Sequence, residues 1–161
     1  MTRRTSNKQH SAPKTLPDYQ MFPVGMWPMF GAVLLMLACL VMTVLLISDI
    51  AALWVKEQTL MYLELAAWVL LSLILSTSTF LLSRGYCIFH RFLIWHNRAY
   101  MLLLAAATLF AWLAGTTSMV LVGAMGLSCA LLAHWLYCSK KYSKGVEHYR
   151  LIWAHFRAQK P

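Results

Sequence analysis

Carboxylates are scarce in this chain: its 161 residues include five Asp and Glu against fourteen Lys and Arg. No Ser-His-Asp order, glycine-rich phosphate loop, HExxH pattern or pair of aqueous carboxylates is present. The familiar sequence signatures of hydrolysis and phosphoryl transfer are therefore missing. Charge of either sign is rare as well, at 12% of residues, and it lies almost wholly outside the long apolar runs. A charged side chain at the centre of a membrane helix costs roughly 2.5–3.5 kcal/mol on insertion scales, so a bilayer imposes this segregation. The four cysteines, Cys39, Cys87, Cys129 and Cys138, all lie outside the expected outer loop. An oxidising compartment would have nothing to join there.

What is abundant is apolar surface, with 60% hydrophobic residues and a mean hydropathy of +0.61. This composition is that of an integral membrane protein and not of a soluble domain. We read the chain as all-α, with four transmembrane helices in two antiparallel hairpins and an amphipathic interfacial helix at the C-terminal end. The spans are expected at about residues 28–48, 59–82, 99–115 and 117–138, the first being long enough at ~1.5 Å per residue to cross the hydrocarbon core. Residues 1–22 read as a disordered basic arm, residues 23–138 as the membrane domain and residues 139–161 as a basic amphipathic tail. The apolar run after the arm is too long for a signal-peptide core, so it is expected to be retained.

Positive charge sets the expected direction. The arm carries four Lys or Arg, the central segment at residues 83–98 three and the tail six, leaving Lys56 alone on the other side. The positive-inside rule then favours an even number of crossings with both ends cytoplasmic. This asymmetry points to a bacterial inner membrane. It also accounts for the net charge of +9 through anionic lipid headgroups, with no nucleic acid required. The headgroup contacts expected are Arg84, Arg91, Arg98, Lys140, Lys141, Lys144, Arg150 and Arg157. In the tail, Val146, Tyr149, Trp153 and Phe156 recur at helical spacing, as in a helix lying on the cytoplasmic leaflet.

Several residues are candidates for chemistry or contact. Glu64 is the one carboxylate inside an apolar run, and an intramembrane ionisable group is a functional candidate because its desolvation must be offset. Gly123, Gly126, Ala130 and His134 form a stripe on the fourth span, and Ala107, Ala111 and Gly115 form another on the third. Small residues at that interval allow close helix approach, either within a hairpin or to a partner helix. Cys87, His90, His134 and Cys138 supply two thiols and two imidazoles, the composition of a tetrahedral zinc set. His96 and His134 are the pair that would ligate haem b. The main expectation is nevertheless no cofactor and no catalysis.

Three functions follow. The first is a small non-catalytic membrane subunit that docks onto a larger assembly, of the secretion or conjugation, polysaccharide-synthesis or immunity and exclusion type. Its partner would be another membrane protein or a second copy. The second is an oligomeric small transporter or channel using Glu64. The third is a haem- or metal-bearing membrane subunit.

Overall fold

A computed structural model describes residues 25–158. The arm at residues 1–22 and the last three residues of the tail lie outside them. The described residues form five helices and no strand: α1 (Met26–Ala51), α2 (Glu57–Ser83), α3 (Ile88–Leu113), α4 (Thr117–Tyr137) and α5 (Lys140–Ala158). Helices α1, α2 and α4 are long and apolar enough to cross a membrane. Helix α3 is as long as α1, but His90, Arg91, His96, Asn97 and Arg98 occupy its first half, and its uninterrupted apolar stretch begins only at Ala99.

Local chemistry places the ends. Pro28 stands in the first turn of α1, where a missing N–H costs no intrahelical bond. Glu57 opens α2 and puts a negative charge on the positive end of the helix dipole. Helices α2 and α3 both finish in a left-handed glycine. Gly85 has φ +83°, with Tyr86 N–H bonded to Leu81 O at 3.2 Å, and Gly115 has φ +74°, with Thr116 N–H bonded to Ala111 O at 3.1 Å. Both are the Schellman closure, in which only a residue without Cβ is unstrained. Gly115 therefore serves the turn. Nothing lies within 4 Å of where its Cβ would be, so it is not part of a packed stripe. The hydroxyls of the second half of α2 bond back along their own helix, Ser78 to Ile74 O and Thr79 to Leu75 O.

The expected spans leave residues 83–98 as the connection between the second and the third, yet most of it is helical. Only residues 84–87 separate α2 from α3, and the rest is the first half of α3. The first four helices alternate in direction, and α1 makes its most extensive contact with α4 rather than with its hairpin partner α2. The reason is side-chain size. Gly31 of α1 faces Leu136, and Gly126 of α4 faces both Met42 of α1 and Leu104 of α3. Among lipid tails, helix association depends on such close van der Waals packing, because the tails are as apolar as the side chains. Ala32, Met36, Cys39 and Leu40 of α1 and Ala130, Ala133 and Tyr137 of α4 are fully buried. Helix α2 is the outlier: its buried residues are Leu75, Ser78 and Leu82, all in its second half.

Helix α5 lies across the end where α1 and α3 begin and α2 and α4 finish. Tyr142, Gly145 and Val146 are buried, and Gly145 packs backbone to backbone on Gly25, with its would-be Cβ 3.4 Å from Gly25 C. The α2–α3 turn meets the second half of α5, where Gly85 packs on Trp153, Tyr149 and Arg150. The face expected to lie on lipid is thus turned partly onto the protein. Phe156 remains 56% exposed.

Candidate functional site

Three polar constellations stand inside or against this apolar scaffold. At the α5 end, the Tyr142 ring stacks on His90 with centroids 5.2 Å apart and meets Tyr137 edge-on at 5.1 Å. His90 Nε2 lies 3.2 Å from Tyr137 O, so one histidine links α3, α4 and α5. Burial, with Tyr137 as a lesser cause, pushes the Tyr142 phenol above its ordinary range. Nearby, Trp153 Nε1–H donates to Ser83 O at 2.8 Å, and the Arg84 guanidinium sits 4.9 Å from the Phe80 ring and 5.0 Å from the Trp153 ring. Arg157 lies over Tyr86, so Arg84 and Arg157, two of the residues expected at headgroups, also hold α5 against the α2–α3 turn, while Arg150 pairs with Glu147 within α5.

The second constellation is deeper, between α1, α3 and α4. Asn97 is fully buried and donates through Nδ2 to Ala130 O at 3.0 Å. Cys39 approaches Gly126 O at 3.6 Å. Asn97 Oδ1, Tyr100 OH and Tyr137 OH are buried without a hydrogen-bond partner.

This register also fixes depth. His90 lies against Tyr137, Asn97 against Ala130 and Leu104 against Gly126, so α3 runs antiparallel beside α4. Arg98 is accordingly level with Ala130, seven residues before the end of α4 at Tyr137. Interpolating between the Gly31–Leu136 and Met42–Gly126 contacts puts Ala130 level with residues 37–38, the middle of α1. Arg98 is therefore not at the height of Arg91, Lys140, Lys141 and Lys144, with which the sequence grouped it.

The third constellation is the cleft between α1 and the first half of α2. A cavity of about 330 Å³ there is lined by Thr43, Ser48 and Glu64 among apolar residues. Leu60 and Glu64 also line a more open cavity that reaches Glu57 and Gln58. Glu64 is partly buried and is the one ionisable group in the narrower cavity.

The four residues of the proposed zinc set are not assembled. His134 Nε2 faces Cys138 Sγ at 3.8 Å, but His90 is engaged with Tyr137 and Tyr142, and Cys87 Sγ lies 3.9 Å from Gly85 O. No three His, Cys, Asp or Glu side chains among the described residues converge as metal ligands. For haem, His96 Nε2 and His134 Nδ1 are buried without partners. The cavities of about 330 Å³ and more described along α1 and α2 are lined by other residues. Of the small-residue stripes, Gly123, Gly126, Ala130 and Ala111 are buried, Ala107 is half-buried and His134 is half-buried. Gly123 abuts Thr108 of α3.

Asn97, Tyr137 and Tyr142 did not figure among the sequence candidates. The signal for Asn97 was an amide beside the apolar run, a residue that must find a partner once helical packing excludes water.

His96 precedes the apolar stretch of α3 and sits between Phe92 and Tyr100, with ring centroids at 5.8 Å and 4.8 Å.

Compared with protein-family models, curated proteins and solved structures, the chain gives no match.

Proposed function

We propose that this chain is a small non-catalytic subunit of a larger assembly in a bacterial inner membrane, with the α5 end in the cytoplasm and α3 as the fourth crossing. The observation that carries this reading is the distribution of charge and connection. Seven of the nine Lys and Arg among the described residues, Arg84, Arg91, Lys140, Lys141, Lys144, Arg150 and Arg157, gather at the α5 end, and Lys56 stands alone at the other. The positive-inside rule assigns such an end to the cytoplasm, where anionic headgroups complement it. Connections between the first four helices span residues 52–56, 84–87 and 114–116. They leave little aqueous surface for a soluble substrate, so recognition falls to helix faces and to the basic end. The role is structural or adaptive, of the secretion, conjugation, polysaccharide-synthesis or immunity and exclusion type.

Native mass spectrometry of the natively expressed protein in mild detergent tests this. A stoichiometric larger partner is the expected result; a homo-oligomer without other proteins would sink it.

One observation favours a second reading, an oligomeric transporter or channel. Glu64 faces a cleft that continues to the far end of the bundle. If that cleft is a pathway, Glu64→Gln should reduce flux in proteoliposomes by at least about tenfold, since the carboxylate is its only charge at that depth. Undiminished flux in Glu64→Gln would remove Glu64 from the pathway.

A further inference from the structure

The outward face of α3 carries Arg91, Trp95 and Arg98, spaced four and three residues apart and all exposed. Trp95 is 67% exposed, and the Arg98 guanidinium lies 5.4 Å from its ring centroid. That contact covers one face of the cation and leaves its N–H donors without an anion, since Arg98 makes no ion pair with a described residue.

Depth makes the arrangement costly. Arg98 is level with Ala130 and with residues 37–38 of α1, so lipid tails would surround it. At ~1.5 Å per residue, the seven residues of α4 beyond Ala130 put the α5 end about 10 Å away. The Cα–Cβ bond leans toward that end, and the guanidinium lies against Trp95, one turn nearer it.

Three sources of anion can be compared. Phosphate headgroups belong at the level of the α5 end, where Arg91 and Lys140 already lie. Glu64 of a second copy is at the wrong height: it lines the cleft with Thr43 and Ser48, beyond the level of residues 37–38, and rotation about the membrane normal preserves that offset. A carboxylate on a different membrane helix meets both the charge and the depth. Arginine forms bidentate pairs with carboxylates, and intramembrane charges are found paired and facing protein.

We propose that Arg91, Trp95 and Arg98 form a docking face for a transmembrane helix of another protein that carries an Asp or Glu near mid-depth. Its carboxylate pairs with Arg98, and its apolar surface covers Trp95. This rests on the reading of the chain as a subunit of a larger membrane assembly and names the chemistry of the partner.

The test is photo-crosslinking in native membranes from a benzoylphenylalanine placed at Leu102, one turn beyond Arg98 and itself 74% exposed. The expected adduct joins the chain to a membrane helix containing Asp or Glu. Arg98→Leu should lower its yield at least tenfold while leaving the thermal midpoint of the purified chain unchanged or higher. Replacing the partner's carboxylate by Leu in the Arg98→Leu background should restore the yield. Adducts with lipid alone, or with a second copy, would overturn the proposal. So would a partner helix without a carboxylate. If a larger partner co-purifies but the α3 adduct is absent or indifferent to Arg98→Leu, the docking face is wrong and the subunit reading survives. If nothing co-purifies, both fail.

Discussion

Gly126→Leu is expected to destabilise the isolated chain by about 3 kcal/mol or more, against the 1–3 kcal/mol usual for overpacking. The reason is that three helices meet at this residue. A Cβ there would already stand 3.0 Å and 3.2 Å from the Leu104 methyls and 3.1 Å from Met42 Cβ. The methyls can rotate, but Met42 Cβ is fixed to the backbone of α1, so the larger side chain must push α1 off α4. The Cys39 contact with Gly126 O would separate with it. In a chain of this size the cost corresponds to a fall of roughly 6–12 °C in the thermal midpoint. Ala124→Leu, on the exposed side of the same helix, should leave the midpoint unchanged. The measurement also separates two readings of the small-residue stripe. If Gly126→Leu keeps the parental midpoint in the purified chain and loses only a partner, the stripe is an intermolecular face. A loss in the isolated chain shows that α1 and α3 already occupy it.

Tyr142→Ala should release α5 from the bundle. Tyr142 is 1% exposed, and removal of a buried aromatic side chain costs about 3–5 kcal/mol. At ~1.4 kcal/mol per tenfold, amide exchange through opening of α5 should accelerate by about 100-fold or more. The loss would be felt on both sides of the ring, because His90 and Tyr137 each pack on it. Tyr142→Phe keeps the ring and should keep most of the protection. Exchange and tryptic cleavage at Lys140, Lys141 and Lys144 report the opening directly. Protection of residues 140–158 that survives Tyr142→Ala would mean that Trp153, bonded to Ser83 O, holds the helix alone.

These two expectations rest on different physics. Helix α5 mixes exposed Lys and Arg with the buried Tyr142 and Val146, so its docking draws on the hydrophobic effect. Its pattern was legible for that reason: Val146, Tyr149 and Trp153 recur at helical spacing among charged residues. Glu64 and the tight α3–α4 turn were legible for a related reason, as polar or glycine residues that interrupt an apolar background. The height of Arg98 relative to Arg91 and Lys140 was not legible, because charge alone does not give depth. That required the Asn97 bond to Ala130 O, a contact between residues 33 apart in sequence.

Length and composition by themselves determined that the chain is helical and that α1, α2 and α4 are able to span a membrane, because a bilayer of about 30 Å demands long apolar helices. Two helices stop at Gly85 and Gly115, which adopt the positive φ that a Schellman closure requires. Which helices touch was decided only in three dimensions. In lipid the buried and exposed faces of a helix are both apolar, so hydrophobic pattern carries no address. Leu40 is buried and Leu45 exposed on the same helix. The pairing of α1 with α4 came instead from size and shape, through Gly31, Gly126 and Ala130, and from the few polar atoms that had to find one another across the chain.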